Sequence, residues 1–205
     1  MKKSKSLCHG HRFPAGVISC AVRWYFRFQL SLRDIEELLF ERGVIVTYEM
    51  IRCWCDKFGK CFAHRVKAVP RKPGSTWHLD EMFVTLRGEP YLLWRAVDKH
   101  GAHPAAKAEI PELANVKHVF VKAAARLNNR AENSHQPTRE RKRLMRGFRD
   151  PKWTQKFLSC FGQIRQHFAL KRHLLRASLY RKQLAARFVA WREFAELTQN
   201  PLATL

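Results

Sequence analysis

The first third of the chain carries three short runs of apolar residues at helical spacing, separated by residues that begin or end helices. Ser31 and Asp34 form an acidic variant of the capping box before the second run, and Thr47 is a candidate N-cap for the third. Gly43 is placed to end the second helix in a left-handed conformation. The predicted core positions are Val17, Ala21, Trp24, Tyr25, Phe28, Ile35, Leu38, Leu39, Ile51, Trp54, Cys55 and Phe58.

Three short helices with a tight turn before the last one predict a helix-turn-helix over residues 13–63, behind a basic tail at residues 1–12. Tyr48, Glu49 and Arg52 fall outside the apolar stripe of the third helix, so they are the candidate readers of base edges. A small three-helix bundle without DNA binding would show the same stripes. Residues 64–75, with two prolines and a glycine, are predicted to be a linker.

Positive charge is concentrated in two flanks around a nearly neutral middle. The net charge is +22; residues 1–72 hold 15 basic and 6 acidic residues, residues 73–138 hold 8 and 7, and residues 139–187 hold 15 and 2. Because dense positive charge binds phosphates through counterion release, the expected partner is a polyanion. Hydrophobic residues make up 46% of the chain, which excludes a disordered basic tail. A basic ribosomal or membrane-surface protein is the alternative class.

No apolar run approaches the length of a membrane span, and the charged N-terminus has no apolar segment behind it. We therefore expect a cytoplasmic protein with no membrane partner. The six cysteines include no C-x-x-C pair, so reduced thiols are expected rather than a zinc site.

The middle of the chain is rich in β-forming residues. Trp77–Leu86 and Pro90–Val97 are predicted strands joined by a hairpin turn at residues 87–89. Asp80 and Glu81 interrupt the first strand, and a buried carboxylate is costly unless it is paired or binds a cation. Two interpretations stay open for these acids: an ion pair with Arg95 or Lys99, or coordination of Mg²⁺.

A helix is predicted around Glu132, and Pro137 is expected to kink or end it. The basic run that follows has few acids nearby, so contact with the DNA backbone is favoured over a merely solvated helix face. Its candidate DNA-binding residues are Arg139, Arg141, Lys142 and Arg143. Residues 151–198 are predicted to form amphipathic helices, with apolar positions at Phe157, Phe161, Ile164, Phe168, Leu174, Leu175, Leu179, Leu184, Phe188, Trp191 and Phe194.

Several blocks in this order resemble the insertion-sequence-six family of bacterial DDE transposases. The resembling blocks are Gly10–Pro14, Ala21–Tyr25, Ser31–Leu39, Glu41–Val44, Trp77–Glu81, Tyr91–Asp98 and Leu127–Glu132, with Gly147 and Phe148.

The resemblance implies an α/β chain: an N-terminal three-helix helix-turn-helix, a truncated RNase H-like core at residues 76–150 and C-terminal amphipathic helices. It implies that Asp80 is the first and Glu132 the last of three acids that hold Mg²⁺ for phosphoryl transfer, and that Arg139 contacts DNA. The implied partners are double-stranded DNA at the terminal inverted repeats of a mobile element and further copies of the chain.

The chain departs from that family at the second catalytic aspartate. The Thr-Asp motif that carries this residue is absent, and the segment around Gly101–Pro104 resembles the join of an internal deletion. Asp98, Glu109 and Glu112 are poor substitutes, because metal catalysis needs ligands placed to a fraction of an ångström.

We therefore expect a transposase-family protein that binds DNA but is catalytically defective. The alternative is a non-catalytic DNA-binding protein or an inhibitor of transposition.

Overall fold

The computed structural model describes residues 8, 10–68, 77–98, 101–103, 129–170 and 172–194. These residues are mostly helical, with one small sheet. They divide into two compact units: unit 1 comprises Met1–Val69 and Gln163–Leu205, and unit 2 comprises Pro70–Gly162. No helix in the described part of the chain has both the length and the apolarity needed to span a bilayer.

Unit 1 begins with the helices α1 (Ala15–Arg27), α2 (Leu32–Phe40) and α3 (Tyr48–Lys67). The Ser31 side chain accepts a hydrogen bond of 3.1 Å from the Asp34 amide, and the Asp34 carboxylate accepts one of 2.7 Å from the Ser31 amide. Thr47 accepts a hydrogen bond of 3.4 Å from the Met50 amide, and Gly43 has a φ of +73°. The predicted helix boundaries at these residues are confirmed, because each depends on neighbours in sequence.

The apolar face of α3 is as predicted, with Ile51, Trp54, Cys55 and Phe58 all buried. The predicted face of α1 is partly wrong, since Phe28 is 41% exposed. Phe28 follows the last helical residue in an extended conformation, and its side chain therefore leaves the helical face. The buried residues of α1 are Ile18, Ser19, Ala21, Val22, Tyr25 and Phe26.

Helix α3 extends to Lys67, four residues beyond the predicted end of the helix-turn-helix at residue 63. Its last turns bury Phe62, Ala63 and Val66. The C-terminal helix α6 (Ala177–Phe194) packs on this part of α3, with the ring centres of Phe62 and Trp191 5.2 Å apart. A contact between residues so far apart in sequence cannot be predicted from a local pattern. The sequence therefore placed the end of α3 too early, within what it predicted to be a linker.

Unit 2 contains a three-stranded antiparallel sheet with the order β1 (Trp77–Leu86), β2 (Glu89–Asp98) and β3 (Gly101–His103). The predicted hairpin is confirmed, with Leu86 opposite Glu89. Its two turn residues, Arg87 and Gly88, have φ angles of 52° and 90°, as a two-residue type I′ turn requires. Strand β3 lies where the sequence suggests the join of a deletion. The rest of that region, residues 104–128, lies outside the described residues.

The helix α4 (Asn129–Leu144) packs against β1 and β2, and α5 (Pro151–His167) follows it. Of the two outcomes expected at Pro137, an end of the helix is excluded, because α4 continues for seven residues beyond it. The division between the two units falls within α5.

The predicted apolar positions of the C-terminal region are only partly buried. Phe157, Phe161, Ile164, Phe168 and Trp191 are buried as expected. Leu174 and Leu179 are 67% and 44% exposed. A 3₁₀ turn at Arg172–Leu174 separates α5 from α6, so the helical stripe does not run through this segment.

Candidate functional site

The first two turns of α3 form an exposed polar surface, which we call the α3 face. Tyr48, Glu49 and Arg52 all lie on it and are exposed to solvent, as the sequence predicts. Thr47 caps the helix just before them and fixes where it begins. The buried residues Ile51, Trp54 and Cys55 anchor the opposite side in the core of unit 1. The helix therefore presents a polar first turn to solvent.

Arg52 is oriented by acids on its own helix. Its Nη2 and Nε lie 2.7 and 2.8 Å from the Glu49 carboxylate, and its Nη1 lies 3.7 Å from Asp56. The hydrogen bond that Arg52 donates to Glu49, and the negative charges of Glu49 and Asp56, raise the pKa of Arg52 above its usual value. Because the pairs are exposed and screened by solvent, they stabilise the helix little, so Arg52 can exchange Glu49 for another acceptor at small cost.

Helix α2 adds a cation that the sequence analysis missed. The Arg33 guanidinium lies 5.3 Å from the centre of the Tyr48 ring. The contact couples the start of α3 to α2 through a cation–π interaction. Arg33 follows the N-cap of α2 by two residues, but only the packing of α2 on α3 shows that it reaches Tyr48.

The basic run on α4 divides into exposed and buried positions. Arg139 and Arg143 are exposed and Lys142 is half-buried, so their positions are compatible with phosphate contact. The prediction for Arg141 needs correction, because this side chain is 1% exposed and its guanidinium lies 5.9 Å from the Phe157 ring centre. His135 and Thr138 are also buried, so α4 turns a polar face inward every third residue and Arg141 continues that face.

The two predicted catalytic acids lie on neighbouring elements of unit 2. Asp80 is in β1, directly opposite Arg95 of β2, and Glu132 is in the first turns of α4. The pairing with Arg95 keeps the ion-pair alternative for Asp80 open. The side chains of Asp80 and Glu132, together with Glu109 and Glu112, lie outside the part of the chain that the structure describes.

Carboxylates are the donors that Mg²⁺ prefers, so Asp80 and Glu132 fit a magnesium site in donor type. The described side chains include no group of three or more His, Cys, Asp or Glu residues arranged to hold a metal ion. The described backbone places Asp80 on β1 and Glu132 on α4, two elements that pack against each other.

A second cluster of cations lies between α1 and α6 in unit 1. Arg23 and Arg27 stand one turn apart on α1, and their guanidinium groups lie 4.8 and 5.4 Å from the centre of the Phe188 ring. Arg27 also lies 4.5 Å from the centre of the Phe168 ring. The i, i+4 spacing shows from the sequence that the two arginines are neighbours on one helix face. The aromatic residues beneath them are far away in sequence and could not be predicted from a local pattern.

Comparison with known proteins found similarity to bacterial transposases. Over 90 residues, which are 44% of this chain and 40% of the relative, the sequence is 34% identical to the transposase for insertion sequence-like element IS431mec of Staphylococcus aureus strain Mu50. It is 33% identical over 90 residues to the transposase for insertion sequence element IS257 in transposon Tn4003, also from Staphylococcus aureus. The match thus spans about two fifths of each relative's length.

No profile of a protein family matches the chain, and no solved structure matches it. The similarity to insertion-sequence transposases over part of the sequence supports a transposase relationship.

Proposed function

We propose that this chain is a transposase-derived protein that binds the terminal inverted repeats of an insertion sequence. The observation that carries the proposal is the α3 face: a capped helix whose first two turns present Tyr48, Glu49 and Arg52 to solvent. The similarity to insertion-sequence transposases supports DNA as the ligand. In this proposal α2 and α3 are a helix-turn-helix.

The dimensions of a helix suit this role. An α-helix with its side chains is about 10–12 Å across, and the major groove of B-DNA is about 12 Å wide. Arg52 is the residue to contact guanine, since its fork of donors matches the two acceptors on the edge of that base. Glu49 holds the fork in place before DNA arrives and repels phosphates that approach out of register. Arg139, Lys142 and Arg143 on α4 are proposed to contact phosphates.

The proposed catalytic state is defective. Asp80 and Glu132 would be the surviving ligands for Mg²⁺ in a truncated RNase H-like core, and the second aspartate would be missing. In DDE enzymes the bound metal activates water and a DNA 3′-hydroxyl for attack on phosphodiesters. This chain's own acids, one on β1 and one on α4, would leave that set incomplete. A homo-oligomer, or a mixed oligomer with an intact transposase, would then occupy element ends without cutting them and inhibit transposition.

Selection of binding sites tests the proposal. The purified chain is incubated with a library of 30-base-pair duplexes of random sequence, and the recovered sequences are read. We expect one sequence to be enriched. Arg52→Ala should then weaken binding to that sequence by about 1–3 kcal/mol and relax the preference at one base pair.

Lys60→Ala is the matched control, because Lys60 is an exposed cation further along the same helix. It should leave both the affinity and the sequence preference nearly unchanged, because Lys60 is not among the proposed DNA contacts. The proposal would be contradicted if the selection enriched no sequence. It would also be contradicted if Arg52→Ala kept the sequence preference of the wild type.

A further inference from the structure

Helices α1 and α6 enclose a groove in unit 1 that the α3 face does not use. Trp191 donates a hydrogen bond of 2.8 Å from its indole Nε1 to the Ser19 hydroxyl, and Arg23 lies over Phe188. These contacts run in opposite directions along the two helices, so the helices are antiparallel. The groove has a volume of about 560 Å³, and its lining includes Gly16, Cys20, Arg23, Ala185, Val189 and Arg192.

The α1–α6 groove is lined by apolar residues, which we call its floor, and by two cations. Cys20, Ala185 and Val189 belong to this floor, and Val189 is 46% exposed. Arg23 is on the α1 side and Arg192 is on the α6 side. A surface of this kind fits a ligand that alternates anionic groups with carbon-rich ones.

No described carboxylate forms an ion pair with the arginines of the groove. The ion pairs in the described residues involve Arg42 and Arg52, both outside it. Arg23 instead donates a hydrogen bond of 3.4 Å to the Cys20 sulfur and stacks on Phe188. Stacking fixes the plane of a guanidinium and leaves its edge available to an oxyanion.

Repulsion within the cluster favours an added anion. Burial, followed by the positive charge of Arg23, lowers the pKa of Arg27 below its usual value. Two like charges one helical turn apart destabilise the free protein, and an anion placed beside them removes that cost.

We propose that the α1–α6 groove binds the sugar-phosphate backbone of DNA, with Arg23 and Arg192 contacting phosphates and the apolar floor contacting deoxyribose. This inference rests on the proposed DNA-binding function and adds a second, sequence-independent contact to it. Such contacts set the position of a protein on the duplex and carry much of its salt dependence.

The test measures affinity of the full chain for a 30-base-pair duplex by fluorescence anisotropy between 50 and 200 mM salt. The variant Arg23→Gln/Arg192→Gln should reduce the magnitude of the negative slope of log affinity against log salt by about two, with the same loss of affinity for every duplex sequence. Arg23→Lys/Arg192→Lys keeps both charges and should keep the slope. Arg192→Gln alone changes an exposed position and should reduce the magnitude of the slope by about one, even if the double variant folds poorly.

Lys60→Gln/Lys152→Gln is the charge-matched control, since both lysines are exposed and outside the groove. It should keep the slope within about 0.5 of the original value, and an equal drop in this control would overturn the proposal. An unchanged slope in Arg23→Gln/Arg192→Gln, with the sequence preference intact, would refute DNA binding by the groove. It would not contradict the proposed contact of the α3 face with bases. A wild-type chain that binds no duplex would contradict the proposed function itself. A polyglutamate peptide is the last probe: if the groove variants lose the peptide but not the duplex, the groove is a protein-binding site and the proposal is wrong.

Discussion

Trp191 joins the C-terminal helix to the N-terminal helices through one buried hydrogen bond. Its indole donates to Ser19 on α1, and its ring lies 5.2 Å from that of Phe62 on α3 and 5.6 Å from that of Phe168. Both Trp191 and Ser19 are buried, so the indole donor has no access to water if the serine hydroxyl is removed. This residue therefore links α6 to both α1 and α3.

A double-mutant cycle measures that hydrogen bond. Ser19→Ala should destabilise unit 1 by about 1–3 kcal/mol, because the indole donor is left buried without its acceptor. Trp191→Phe should cost about as much, and the double variant should cost less than the two single changes together by about 1 kcal/mol. Urea unfolding followed by circular dichroism gives the values. Ser178→Ala on the exposed side of α6 is the control and should change stability by less than about 0.5 kcal/mol. Additive effects at Ser19 and Trp191 would show that the bond contributes nothing.

At the scale of elements, turn and cap residues act locally, and the hairpin turn between β1 and β2 carries an avoidable strain. Arg87 holds a φ of 52°, which costs a residue with a side chain about 1 kcal/mol relative to glycine or asparagine. Gly88 holds a φ of 90°, and a Cβ placed there would meet no atom within 4 Å. An alanine at that position would therefore destabilise the turn only through the positive φ angle, and not through a steric clash.

Substitutions at the turn should act in opposite directions. Arg87→Asn creates the Asn-Gly pair that type I′ turns favour and should stabilise the hairpin by about 0.5–1 kcal/mol, whereas Gly88→Ala should destabilise it by about 1 kcal/mol. Amide hydrogen exchange of β1 and β2 reports the change directly. Thr85→Asn, on the exposed face of β1, is the control for asparagine itself and should give no stabilisation. Faster exchange in Arg87→Asn than in the wild type would refute a type I′ turn.

Elements that depend on neighbouring residues were predictable, and those that depend on distant packing were not. The caps at Ser31 and Thr47 and the Arg87-Gly88 turn follow from short-range chemistry. The last turns of α3 pack on α6, more than a hundred residues away, and Arg141 is buried beside Phe157 of α5. The α3 face was predictable because residues of α3 that lie outside its apolar stripe face away from the core. The groove between α1 and α6 was not, since its two walls are far apart in sequence.

For the whole molecule, the chain combines a unit made from both ends of the sequence with a unit made from the middle. Unit 1 holds the α3 face and the α1–α6 groove, both proposed to contact DNA. Unit 2 holds the strand of Asp80 and the helix of Glu132. The proposed reading of base edges and the proposed phosphoryl-transfer acids thereby fall in different units, and only the phosphate contacts of Arg139, Lys142 and Arg143 share unit 2 with the acids. Loss of phosphoryl transfer therefore need not remove the reading of base edges.

A strand-transfer assay separates the two properties. The purified full chain is mixed with a duplex that ends in the sequence recovered by selection, a target plasmid, and Mg²⁺ or Mn²⁺. We expect binding without joined product, because two carboxylates cannot position the metal ions as three do, and misplacement by about 1 Å costs about 100-fold in rate. Asp80→Asn is the matched variant and should behave like the wild type, since under the proposed function it removes a ligand from an incomplete site. A metal-dependent product that the wild type forms and Asp80→Asn does not form would show that a third ligand completes the site, and the chain would be an active transposase.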